Sequence, residues 1–106
     1  MSASHDGIWI IDDQAMTAYA NDRMAEILGT SAAEMMGAPS FIYVFPEDMD
    51  KAQRLFDFKA RGDAKPFRFQ LRRKDGMAVA VAVLGTPMRN AEGEFKGIVG
   101  TFTVVP

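Results

Sequence analysis

The sequence predicts an α+β domain in which two strands are followed by several short helices and then by three antiparallel strands. Three observations carry this. GIWIID (7–12) and MTAYA (16–20) are β-branched and aromatic runs on either side of the turn-forming Asp12-Asp13. The middle of the chain places apolar residues at helical spacing between caps and glycines. In the last third the period falls from 3.6 to 2. A chain of 106 residues makes one such domain, hiding roughly 65% of its unfolded surface in a two-layer core without staples.

Each element has a local cause. Asn21 stands where its amide can accept from an orphan N–H of a first helical turn, and Met24, Ile27 and Leu28 follow at helical spacing before Gly29. Ser31-Ala-Ala-Glu34 matches a capping box, opening a short helix that ends at Gly37. APSFIYVFPED, broken by Pro39 and Pro46, predicts a short buried helical turn. Residues 46–60 predict the longest helix, with Met49, Ala52, Leu55, Phe56 and Lys59 on one side and Gly62 closing it. Glu47 and Asp48 suit its start, and Lys59 and Arg61 its end. KPFRFQLRRK then alternates Phe67, Phe69 and Leu71 against Arg68, Gln70 and Arg72. Asp75-Gly76 predicts a two-residue hairpin. VAVAVLG (79–85) forms the next strand, ending at Thr86-Pro87. NAEGE turns the chain again into FKGIVGTFTVV, the last strand.

Composition excludes several classes of function. Hydrophobic residues make up 48% of the chain and charged residues 25%, close to globular averages. The net charge is −2 with the signs interleaved, which offers no field for nucleic acid or an anionic membrane. No apolar run approaches the roughly 20 residues of a membrane span. Cysteine is absent, and with it disulfides, thiolate catalysis and Cys-ligated metals. The single histidine, His5, precedes the first strand and is expected to be a frayed terminal residue. The glycines are scattered over turns and caps, with no phosphate loop. Asp12-Asp13 has a turn role and Glu47-Asp48 a helix-start role, so no catalytic or metal residue is assigned.

In this order and spacing, DGIWIIDD…AYANDRMAEILGTSAAEMMG, FPED, RRKDG, TPMRNAEG and GIVG resemble the PAS domain, the sensory box of bacterial signalling proteins. The resemblance runs from about Asp6 to about Val104. It implies a PAS/profilin-like fold: a five-stranded antiparallel sheet of order 2-1-5-4-3, with short helices packed on one face. It also implies a single sensor domain over residues 1–106, cut from a larger cytoplasmic multidomain protein, most often a two-component histidine kinase.

The resemblance also allows the cofactor classes to be compared with the residues present. The light-sensing flavin class would place its reactive cysteine near Ser40, and its ring-binding amides at Leu71, Val81 and Phe102, all apolar here. The haem class takes an axial histidine from the long helix, where this chain has none. No cofactor is therefore expected. By alternation and likeness, Trp9, Ile11, Phe67, Phe69, Leu71, Val79, Val81, Val83, Ile98 and Phe102 face the helices, where Met24, Met36, Tyr43 and Phe56 meet them. From this set Trp9, Ile11, Met24, Met36, Tyr43, Phe56, Phe69, Leu71, Val81, Val83 and Phe102 are the candidate lining of a ligand pocket. Trp9 and Phe102 are large enough to fill the space and close it as a packed core. Gly85 and Gly100 leave volume for an apolar small molecule.

VAVAVLG poses one further question, because neither of its faces is polar. With Val79, Val81 and Val83 inward, Ala80, Ala82 and Leu84 face out, beside Ile8, Ile10, Val99 and Thr101 on the neighbouring strands. Such a patch of a few hundred Å² marks an interaction site. Met1 to His5 is too short for a covering helix, so a symmetric homodimer through this outer face is expected. The sequence therefore predicts a non-catalytic sensory and dimerisation module that passes a signal to a downstream output domain in the same chain. Its rivals are a ligand-free structural dimerisation domain and a small isomerase- or dehydratase-like enzyme built on Tyr43 and Asp48.

Overall fold

The alternation of GIWIID becomes strand β1 (Gly7–Asp12), with Trp9 turned into the interior and Ile8 and Ile10 turned outward. The computed structural model describes residues 6–63 and 65–106, and His5 lies outside them. Strand β2 (Thr17–Ala20) folds back on β1 through a turn built on Asp12. The Asp12 Oδ1 accepts the N–H of Gln14 at 2.8 Å and of Met16 at 3.0 Å. These bonds explain why the sequence spends an acid there.

Helix α1 (Asp22–Leu28) starts at Asn21, whose Oδ1 accepts the N–H of Met24 at 2.8 Å. The same oxygen also accepts the N–H of Ile8 at 2.9 Å, so one side chain caps a helix and fixes the edge of β1. Helix α2 (Ala32–Met35) is capped by Ser31 in the same way. Two 3-10 turns follow, Ser40–Tyr43 and Pro46–Asp48. The predicted long helix is thus divided: its first turn is 3-10, and helix α3 runs from Met49 to Ala60. All these elements cover one face of the sheet.

Strands β3 (Phe67–Arg72), β4 (Ala78–Arg89) and β5 (Phe95–Val104) form the rest of a five-stranded antiparallel sheet of order β2-β1-β5-β4-β3. This is the order the resemblance implied. Strand β4 runs past Thr86-Pro87, where the sequence predicted its end. Its pairing with β3 stops at Phe67↔Val83, so Pro87 lies where β4 has only β5 beside it. A residue without an N–H is tolerated on such an open edge. The hairpin at Asp75-Gly76 is also longer than predicted. The Arg73 N–H donates to the Met77 carbonyl and the Gly76 N–H to that of Arg73, leaving Lys74, Asp75 and Gly76 in a three-residue loop. Of these three only Gly76 has a positive φ (88°), whereas the two-residue turn needs a positive φ at both central positions.

Gly97 is a position of close approach: a Cβ there would stand 2.1 Å from the Ile11 carbonyl oxygen. The β3–β4 hairpin is tied to the helices. Arg73 Nη1 donates to the Ile27 carbonyl at 2.9 Å, the Lys74 N–H to that of Leu28 at 2.8 Å, and Lys74 Nζ reaches Glu34 Oε2 at 2.6 Å. No helix among the described residues is long and apolar enough to cross a membrane.

Candidate ligand-binding site

Between the inner face of the sheet and α3 lies a cavity of about 120 Å³. Its floor exists because two glycines oppose each other: Gly85 of β4 pairs with Gly100 of β5, both buried and both on the inner face. Trp9 and Ile11 of β1, Val83 of β4 and Ile98 and Phe102 of β5 surround that floor. Phe67, Phe69 and Leu71 of β3 form one wall. The roof is Ala52, Leu55, Phe56 and Lys59 of α3, with Ser40, Phe41 and Val44 closing the end.

Trp9 is held at one wall by three contacts. Its indole N–H donates to Thr17 Oγ1 at 3.0 Å inside the protein. Its ring meets Tyr43 edge-on at 5.7 Å and lies tilted against Phe102 at 5.5 Å. Buried indole N–H groups need such a partner, and this one fixes the ring beside the cavity.

Of the eleven residues expected in the pocket, the structure brings seven to this cavity: Trp9, Ile11, Phe56, Phe69, Leu71, Val83 and Phe102. Four lie elsewhere. Met24 and Val81 are completely buried in the packed core, filled in by their neighbours rather than facing space. Tyr43 is buried behind Trp9. Met36 is 48% exposed, because α2 ends at Met35 and the chain turns at Gly37 with the Met36 side chain outside. Neither Tyr43 nor Asp48, the pair considered for an enzyme, lines this cavity. Among the described residues, no three acidic or histidine side chains gather where they could hold a metal ion.

Sequence reasoning missed Lys59. Placed on the apolar side of the helix and given a helix-end charge role, but not counted in the pocket, it is 3% exposed and lines the cavity. Its Nζ donates to the Lys65 carbonyl, sits 3.9 Å from Asp63 Oδ2 and lies 5.2 Å from the centre of the Phe67 ring. The signal was present: 52, 55, 56 and 59 mark a single helical face, and only the candidate pocket lining left Lys59 out.

On the opposite face of the sheet the outward residues form rows across the strands. Ile8, Thr101 and Leu84 align in one row, Ile10, Val99 and Thr86 in the next, and Thr103 and Ala82 in a third. Ala80 stands beyond them, opposite Gln70. Leu84 is 47% exposed.

Over residues 1–105 the sequence matches the PAS fold. The chain belongs to the PAS family. No curated protein matches it in sequence. Among solved structures, this PAS domain is similar to the PAS domain of a protein from Colwellia psychrerythraea, at 16% identity and a TM-score of 0.88, covering 96% of this chain and 87% of that one. It is also similar to a sensory box histidine kinase/response regulator from Burkholderia thailandensis (18% identity, TM-score 0.76, 98% and 79% covered). A third similar structure is Drosophila melanogaster Cycle PAS-B with bound ethylene glycol (14% identity, TM-score 0.79, 93% and 99% covered). At such identities the likeness is one of fold.

Proposed function

We propose that this PAS domain is a non-catalytic sensor module that binds a small molecule in the cavity over Gly85 and Gly100. It dimerises through the outer sheet face and passes the signal to an output domain of a larger cytoplasmic protein, of the histidine kinase type. One observation carries the reading: the cavity and the outer apolar rows share the same two strands. Gly85 and Gly100 face the cavity, and their chain neighbours Leu84 and Thr101, themselves paired, face out. Successive residues of a strand point to opposite faces, so a ligand that shifts the glycine pair moves the outer pair with it. The ligand moves the balance between two sheet packings only by its differential affinity for them.

The size of the cavity supports a small ligand. About 120 Å³ falls well below the roughly 300–1,000 Å³ of drug-sized sites and close to the roughly 150 Å³ that admits benzene. A flavin does not suit this space. The Burkholderia relative, named as a histidine kinase, supports the type of output. The test is the oligomeric state of Leu84→Glu by light scattering, beside native mass spectrometry of the unmodified chain. A folded monomeric variant and a dimer carrying extra mass support the proposal. A variant that stays dimeric removes the outer face as the interface.

A further inference from the structure

A largely apolar cavity with one buried lysine in its lining selects a particular ligand chemistry. Lys59 lies over the glycine floor: a Cβ on Gly85 would stand 3.6 Å from its Cδ and 3.7 Å from its Cε. The lysine stem therefore passes directly over Gly85, at the distance of an ordinary van der Waals contact from an added methyl group. An ammonium carries three donors. Among the described residues one is taken by the Lys65 carbonyl, and Asp63 at 3.9 Å forms an ion pair with the ammonium but stands beyond hydrogen-bond distance. The remaining neighbourhood is aromatic, with Phe67 at 5.2 Å. A second, exposed lysine of the same helix, Lys51, holds its Nζ 5.3 Å from the centre of the Phe69 ring, in the same β3 wall. The carboxylate paired with Lys59 is 38% exposed and makes no hydrogen bond to it, so the buried ammonium keeps donors for a closer anion on the cavity side.

We propose that the cavity takes a small carboxylic acid with an apolar body, its carboxylate at the Lys59 ammonium and its chain or ring over Gly85 and Gly100 toward Trp9. The inference rests on the reading of the cavity as a ligand site. The volume limits the apolar body to about that of a benzene ring. Hydrogen bonds to a charged group are stronger than neutral ones, enough for about tenfold or more in affinity. An amide of the same shape can still accept a hydrogen bond from the ammonium but brings no charge to it, so the acid–amide difference reads the charge pairing.

The probes are hexanoate and benzoate against hexanamide and benzamide, followed by calorimetry and by the fluorescence of Trp9, the chain's single tryptophan. At least one acid binds about tenfold or more tighter than its amide, and Lys59→Met removes the preference while keeping a cooperative melt. The comparison on the unmodified chain decides by itself should that variant fail to fold. Amides that bind as well as the acids overturn this inference and leave the ligand site standing. Acid affinity unchanged in a folded Lys59→Met overturns the role of Lys59. No binding of any probe at millimolar concentration overturns the inference and the ligand site together.

Discussion

Gly85 and Gly100 face each other across β4 and β5, yet alanine has opposite consequences at the two. At Gly85 a methyl group would meet Ile98 Cγ2 at 3.4 Å and Lys59 Cδ at 3.6 Å, ordinary van der Waals distances, and would occupy the cavity. Gly→Ala at an unstrained position contributes about 0.4–1 kcal/mol through the unfolded chain, and filling a void adds to it. Gly85→Ala is therefore expected to stabilise by about 0.5–1.5 kcal/mol. At Gly100 the same methyl would stand 2.7 Å from Phe102 Cε1, so the ring must leave its place against Trp9, at a cost of about 1–3 kcal/mol as in other overpacked interiors. Urea titration followed by Trp9 fluorescence measures both. A difference of about 1.5 kcal/mol or more between the variants is expected, and for a domain of this size each 1 kcal/mol moves Tm by about 4–8 °C. The reasoning fails if Gly85→Ala destabilises by more than about 1 kcal/mol, since the floor would then be closed rather than open. Gly85→Ala should also weaken any ligand held over that floor without loss of fold.

Two other perturbations follow from single side chains. Asn21→Ala removes the acceptor of both the Met24 and the Ile8 N–H. A lost cap together with a second stranded donor should cost about 2–3 kcal/mol, and Asn21→Asp, which keeps an acceptor oxygen, should recover most of it in the same urea titration. The hydrogen bond and charge of Lys74 hold the Glu34 carboxyl below its ordinary value. With a folded pKa lower than the unfolded one, the contribution is present above the ordinary glutamate range and fades as pH falls through the lowered value. In Lys74→Ala the Glu34 titration, followed by NMR, should return upward toward that range. A pair this exposed is not expected to alter the melt measurably.

Much of the fold was legible because its causes are local. Alternation located β1 at residues 7–12, and the sheet-facing sides of β3, β4 and β5 follow from the same period of two. Asn21 and Ser31 announce helix starts because a capping oxygen needs nothing from distant parts of the chain. The paired glycines were also readable as missing volume. The exposed faces of α2 and the ends of β4 were less so. Met36 has the side chain of a core residue, and only the turn at Gly37 leaves it outside. Pro87 usually ends a strand, and it continues here because β3 has already stopped beside it.

What the sequence determined alone was therefore the order, type and inward face of the elements, since propensity, capping and periodicity act over a few residues. What the tertiary structure decided was which apolar side chains fill the interior and which border empty space. Met24 and Val81 are packed solid while Phe56 and Phe102 border a cavity, although all four are apolar residues of inward faces. That distinction is a difference of volumes summed over four strands and a helix, and no short stretch contains it. Lys59 belongs with it. A lysine near a helix end is usually solvated, and this one is buried because its stem packs over Gly85 of the sheet and the Lys65 carbonyl, from the segment leading into β3, receives its ammonium.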